Sequence, residues 1–412
     1  APTIYNQLGE LTGYTALPRS FAIAYHQCRW NYNDEDDVKQ VNDNFDKFDI
    51  PYDVIWLDIE HTDDKKYFTW DTKNFLAPKK MLAELDQAKR KLVTIVDPHI
   101  KRDSTYYVYE EFLKADLFVK NRDGLDFSGW CWPGHSLWID FFNPKAHEAW
   151  KSMFTFENYE GSEENLFIWN DMNEPSVFDG PEITMFKDSL HYNGWEHRDL
   201  HNLYGMLFHN STASGVSHRT LKQLRPFVLS RSFYAGSQRV GAIWTGDNTA
   251  HWSHLEIATP MLLSNGIAGM AFSGADVGGF FGDPQADLIV RWYQAGAFYP
   301  FFRAHAHLDT HRREPWMLGE PYIGLIRNAI RLRYQLLPMW YTAFHDASVC
   351  GMPIMRPQFV IFPDDTEGFD IDTQFYVGDS GLLVRPVTAE GATNADVYFA
   401  DEEVTVIKAF LN

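Results

Sequence analysis

Six carboxylates, Asp58, Asp97, Asp171, Glu174, Asp247 and Asp276, each follow a short apolar run. Carboxylates placed where a buried segment ends are costly unless they are paired or used. Two carboxylates flanking a bond, one ionised and one protonated, cleave glycosidic linkages. Residue type alone leaves open which two of the six would do so. Several tryptophans accompany them: Trp30, Trp56, Trp132, Trp169 and Trp244. A single Trp is most often core packing, but five beside polar strand ends also suit a sugar, whose ring has apolar faces and hydroxyl edges. His305-Ala306-His307, with Asp309 and His311, has the look of a metal cluster. The two histidines share a side only while a strand lasts, so His305 is better read as a substrate-binding group, with no metal.

The elements that must position these groups recur. Apolar runs at 20–25, 52–57, 92–96, 166–169, 226–229, 241–244, 267–272 and 298–302 each end in polar residues. Runs apolar enough to be buried on both faces suit parallel strands. Between them, 36–48 places Val38, Val41, Phe45 and Phe48 on one helical face, and 79–91 does the same with Met81, Leu82, Leu85 and Ala88. Strand and helix alternating eight times predicts an α/β fold, a (β/α)8 TIM barrel whose chemistry lies at the C-terminal strand ends. A doubly wound open sheet would not explain polar groups at the same end of every run.

Residues 1–19 form a lead-in segment, 20–345 the catalytic barrel, and 346–412 part of a C-terminal antiparallel β-sandwich domain with strands at 375–377, 382–384 and 397–399. The barrel exceeds the ~250 residues usual for the fold, so it carries insertions, at 121–143 and from 176 to about 198. The net charge of −20 comes from 36 basic and 56 acidic residues, and no basic patch stands out for nucleic acid. No apolar run approaches the ~20 residues of a membrane span. Three cysteines, Cys28, Cys131 and Cys350, exclude a disulfide framework but allow one pair. Asn210-Ser211-Thr212 is a glycosylation sequon.

Longer motifs carry a resemblance. Trp169-Asn170-Asp171-Met172-Asn173-Glu174-Pro175 closely resembles the signature of glycoside hydrolase family 31. Residues 225–232 and Trp244-Thr245-Gly246-Asp247-Asn248 resemble its second block, and 301–307 a third. Residues 178–181 and 195–199 resemble the branch of the family that trims N-linked glycans in the endoplasmic-reticulum lumen. The resemblance implies Asp171 as nucleophile and Asp247 as general acid/base. It implies that Asp58, Arg231 and His305 bind glucose hydroxyls, and that Trp169, Met172, Trp244, Phe280, Trp132 and Ile100 wall the pocket. Asp276 either touches substrate or pairs with a neighbour such as Arg303. Glu174 braces its loop, while Arg312, Arg313 and Lys187 read as surface charge.

The activity implied is that of a retaining exo-α-glucosidase removing terminal α-linked glucose, by preference α-1,3, from the oligosaccharide of a glycoprotein, with no cofactor. Rivals are a maltase-type α-1,4-glucosidase, a transglucosidase or a glucan lyase of the same family, and a non-catalytic sugar-binding module. The resemblance also implies a lectin-bearing β subunit as partner. Family members carry further β domains on both sides of the barrel, so this chain is expected to be the central part of a longer polypeptide whose remaining segments it contacts.

Overall fold

The computed structural model describes residues 1–222 and 224–400. Eight parallel strands form one sheet: β1 (Tyr25–Gln27), β2 (Val54–Leu57), β3 (Lys91–Ile95), β4 (Leu166–Asn170), β5 (Val228–Ser230), β6 (Ala242–Trp244), β7 (Ser273–Gly274) and β8 (Phe302–Ala304). Their order is β7-β6-β5-β4-β3-β2-β1-β8. Phe301 N–H donates to Ser273 C=O at 3.0 Å and Val277 N–H to Arg303 C=O at 2.9 Å, which ties β7 to β8 and closes the barrel. Closure leaves no free sheet edge.

The chain divides into two compact units, one of Ala1–Arg29, Val41–Val54 and the residues from Trp244 onward, the other of Trp30–Gln40 and Ile55–Ile243. In the second unit β3 pairs β4 with Leu92 opposite Leu166 and Ile95 opposite Trp169, and β4 pairs β5 with Asn170 opposite Ser230. In the first unit β1 pairs β8, Tyr25 opposite Phe302.

Several apolar runs turn out to be only partly strand. Residues Ser20–Ile23 form a 3-10 turn before β1, Ile267 ends the helix Trp252–Ile267, and Met270, Ala271 and Phe272 are buried without joining the sheet. Hydrophobicity reports burial, and a buried connector is as apolar as a strand. Its backbone still needs partners. Arg333, fully buried, supplies them in the first unit: its guanidinium donates to the carbonyls of Ile23, Ala297, Tyr299 and Pro300 at 2.8–3.0 Å and lies 4.0 Å from the Trp340 ring centroid. The helix expected at 79–91 is Pro78–Gln87, because Lys89 takes a left-handed φ of 63° that returns the chain into β3.

The insertion at 121–143 holds a hairpin, Ser128–Cys131 with Gly134–Trp138, joined by His99–Lys101 into a three-stranded antiparallel sheet. Near the C-terminus Met355–Arg356, Phe375–Val377 and Leu383–Val384 form another. Residues 397–399 are not a strand there. Gln374 instead clamps Tyr398, accepting from its N–H at 2.9 Å and donating to its carbonyl at 2.8 Å. The last part of the domain expected over 346–412, residues 401–412, lies outside the described residues. The sequon lies inside the helix His197–His218, where Thr212 is buried and accepts from the Trp150 indole at 3.0 Å, so it is not the exposed loop that a glycosylation site needs. All three cysteines are free thiols.

Candidate active site

In the second unit, β4 delivers Asp171 directly after Asn170. Asn170 is fixed from both sides: its side-chain amide donates to Val96 C=O at 3.0 Å, and its carbonyl accepts from Arg231 N–H at 3.1 Å. The next residue, Met172, has φ 56°, left-handed and rare for a side chain of this kind. Such backbone strain persists only where the surroundings impose it, and it concentrates at functional sites. Asn173 does the imposing. Fully buried, it donates to Ser230 Oγ at 2.9 Å and accepts from Ser232 N–H at 3.0 Å, locking the turn after β4 to the turn after β5.

Arg231, from that second turn, is shared. Its Nη1 lies 2.9 Å from Asp171 Oδ1, while Nε and Nη2 donate to the two Glu174 oxygens at 2.8 and 3.0 Å. Nη2 also lies 3.1 Å from Met172 Sδ. Glu174 therefore does more than brace its loop: it orients the arginine that touches Asp171. Asp97, fully buried after β3, accepts from Tyr67 Oη at 2.5 Å. Burial, then the charges of Asp171 and Asp58, push its carboxyl well above the usual range. Asp58 accepts from Ile59 N–H at 2.7 Å, capping the short turn after β2.

The residues expected as pocket walls in this unit are held by aromatic and sheet contacts. Trp169 on β4 packs edge-on against Trp56 with centroids 5.8 Å apart. Trp132, at the tip of the hairpin, is half-buried between Trp30 and Phe178, at 5.4 and 4.8 Å. Ile100 is completely buried opposite Leu137 in the adjoining sheet.

In the first unit, Asp247 follows β6 and is exposed. The turn carrying it is held by Asn248, whose amide donates to Asp276 C=O at 3.0 Å and accepts from Phe280 N–H at 2.9 Å. Asp276, completely buried, accepts from Arg303 Nε and Nη2 at 3.0 and 2.8 Å, and the same guanidinium lies 5.2 Å from the Trp244 ring. The pairing of Asp276 with Arg303, expected as one of its two roles, is present here. His305 stacks on Phe280 at 4.9 Å. Burial, then the charges of Arg303, Arg313 and Arg29, hold its imidazole well below the ordinary value, so the ring is neutral. His311 turns away to Asp283, 2.8 Å distant. Among the described residues no group of three or more His, Cys, Asp or Glu could hold a metal ion.

The reading of Arg313 as surface charge is corrected. Its guanidinium donates to the carbonyls of Gly279, Gly282 and His305, the last two at 3.0 Å. It thus ties the loop after β7 to the histidine after β8. Arg312 likewise pairs with buried Glu314 at 2.8 Å.

The strand ends of each unit thus carry carboxylates, with an arginine in one and a histidine in the other, groups suited to acid–base chemistry. Comparison with known proteins narrows this. The model of the glycosyl hydrolases family 31 TIM-barrel domain matches residues 15–343, and that of the family's C-terminal domain matches 351–408. The chain belongs to glycosyl hydrolase family 31. It is 57% identical over 406 residues to neutral alpha-glucosidase AB of Dictyostelium discoideum, covering 98% of this chain and 43% of that protein. Two solved structures are each 57% identical, with TM-score 0.96, and cover 97% of this chain and 44% of theirs. One is an ER glucosidase II heterodimeric complex of the catalytic subunit and the binding domain of the regulatory subunit, the other a glucosidase II alpha subunit in its alpha3-Glc2-bound form. The chain thus spans less than half the length of these relatives.

Proposed function

We propose that the chain is the catalytic core of a retaining exo-α-glucosidase, with Asp171 as nucleophile and Asp247 as general acid/base. The observation that carries this is the turn after β4, which sets Asp171 2.9 Å from Arg231 and beside the left-handed Met172. Asp276 is held by Arg303, Glu174 by Arg231, Asp97 by the Tyr67 hydroxyl, and Asp58 caps its own turn. Asp171 lies beside Arg231, with Oδ1 2.9 Å from its Nη1, and Asp247 is exposed directly after β6.

Asp171 attacks the anomeric carbon and forms a glucosyl ester while Asp247 protonates the departing oxygen. Asp247 then takes a proton from water, which displaces Asp171 and releases glucose with its α configuration. Positive charge on the sugar ring in the transition state is favoured by the surrounding carboxylates. Asp58, Arg231 and neutral His305 bind ring hydroxyls, and Trp169, Met172, Trp132, Ile100, Trp244 and Phe280 form the walls.

The substrate is the terminal α-1,3-linked glucose of an N-linked glycan, in the endoplasmic-reticulum lumen, and the enzyme works with a lectin-bearing β subunit. Support comes from the relative solved with an α-3-linked diglucoside and from the one solved with part of its regulatory subunit. No helix among the described residues is long and apolar enough to cross a membrane. A fluorinated glucosyl inactivator applied to the full-length protein should label Asp171, and nuclear magnetic resonance should show α-glucose as first product. Labelling at Glu174 or first release of β-glucose would overturn the pair. A strong preference for long α-1,4 glucans over α-1,3 glucosides would sink the glycan-trimming assignment.

A further inference from the structure

A second feature of the second unit is a line of three imidazoles. Asp140 Oδ1 lies 2.8 Å from His191 Nδ1, His191 Nε2 lies 2.9 Å from His197 Nδ1, and His197 Nε2 lies 2.7 Å from His201 Nδ1. Asp140, His191 and His197 are buried. Asp140 also accepts from Tyr192 N–H at 2.6 Å and from Phe142 N–H at 3.2 Å, so both its oxygens act as acceptors.

The direction of every bond follows. A singly protonated His191 donates from Nδ1 to the carboxylate, which leaves its Nε2 as an acceptor. His197 then donates from Nδ1 and accepts at Nε2, and His201 donates from Nδ1. The chain of tautomers ends with a bare lone pair on His201 Nε2. Burial, then the neighbouring His191 and His201, hold His197 down to about 3, so the middle ring stays neutral.

His197 and His201 line a pocket of about 450 Å³. That is within the range of small-molecule sites, with room for one or two hexose units. Its charges balance, Glu182 and Asp199 against Lys187 and Arg198, so it offers no net attraction to an ion. Half-exposed Tyr234 gives it an aromatic side, three residues beyond Arg231 in the same loop. A fixed acceptor, balanced polar groups and an aromatic ring suit a neutral ligand rich in hydroxyls.

We propose that this pocket is a second saccharide-binding site in which the Asp140–His191–His197–His201 relay fixes His201 Nε2 as a hydroxyl acceptor. The inference stands on the pocket and the relay, independent of which acids form the catalytic pair. The probes are methyl α-mannoside and methyl α-glucoside, observed by saturation-transfer difference NMR on full-length protein carrying D171N. Deoxynojirimycin, a basic glucose mimic, is added to saturation, and its own binding reports separately on the catalytic reading.

At least one probe should remain bound under those conditions. H201A and Y234A should each weaken it by about tenfold, the loss of one hydrogen bond or one stacking face. H201Q, which keeps an acceptor, should retain more affinity than H201A. D140N offers an amide hydrogen to His191 and reverses the tautomers. Histidine 15N shifts should then show the His201 proton on Nε2, and affinity should fall although His201 itself is intact. Absence of saturation transfer with deoxynojirimycin bound, or affinity unchanged in both H201A and Y234A, would overturn the proposal.

Discussion

Replacing Glu174 by glutamine tests how Asp171 is held. In the wild-type protein Arg231 forms a two-pronged pair with Glu174, at 2.8 and 3.0 Å, and a single contact with Asp171 at 2.9 Å. Glutamine keeps one carbonyl oxygen but sets an amide N–H against a guanidinium N–H. A charge-assisted bond of this kind contributes roughly 1.5–3 kcal/mol. The Glu174 side chain is 37% exposed, so solvent screening cuts its share to about 1–1.5 kcal/mol. On p-nitrophenyl α-glucoside kcat/KM should therefore fall by about tenfold, because Arg231 is freed to bind Asp171 more closely and to drift from the sugar hydroxyls. D171N measured alongside should lose on the order of 10⁴-fold, as removal of a nucleophile does. A loss in E174Q as deep as that in D171N would make Glu174 the nucleophile. A loss under twofold would show that Glu174 does not position Arg231.

Three further expectations concern stability. Burial holds His26, His99 and His197 down to about 3 and His61 and His209 down to about 4, with His305 also well below its ordinary value. Each folded value lies below the unfolded ~6.5, so the stability these rings contribute is complete above that pH and is lost as pH falls toward 3–4; unfolding near pH 5 should take up roughly six protons through them, read from the pH slope of the unfolding free energy. Asp97 runs the other way: its folded carboxyl is raised, so stability is present below the unfolded value and is lost as pH rises, and D97N should be more stable than wild type at neutral pH in urea titrations. R313M strips the carbonyls of Gly279, Gly282 and His305 of their donor, which should cost roughly 1–3 kcal/mol. Its thermal midpoint should drop by several degrees together with kcat/KM, and an unchanged midpoint would refute the bridging role.

The barrel was legible because burial and strand-end polarity recur eight times along the chain, and the strand order follows from connection rules. The strand limits were not. Residues 21–23 and 299–301 are buried, and what lets them leave the sheet is Arg333, a side chain remote in sequence. Nothing in local periodicity announces such a partner. The site shows the same division. Polar residues at strand ends marked every acid, and Arg303 was named as a partner for Asp276, yet the pairing of Glu174 with Arg231, 57 positions apart, was not legible. The relay was half visible. His197 and His201 stand four apart on one helix, a spacing that puts them on one face. The hydrogen bond from His191 to Asp140 spans 51 positions and could not be read.

The acids themselves explain why so polar a barrel mouth is stable. Two of them are answered by an arginine of their own unit. Arg303 neutralises Asp276 where both are almost fully buried, and leaving either alone there would cost several kcal/mol. Asp97 is met by the Tyr67 hydroxyl instead of a cation, and burial with two neighbouring carboxylates raises its pKa. Arg231 is divided between Asp171 and Glu174, and the division matters for the chemistry proposed. An arginine given wholly to Asp171 would hold that carboxylate in a two-pronged pair and blunt its attack. With two of its three donor nitrogens engaged by Glu174, Arg231 leaves Asp171 one contact. That contact orients the carboxylate. The Asn-Asp-Met-Asn-Glu turn is thus one device. Met172 takes the strained backbone, Asn173 locks it to the neighbouring turn, and Glu174 restrains the cation, so that Asp171 is left in a position to react.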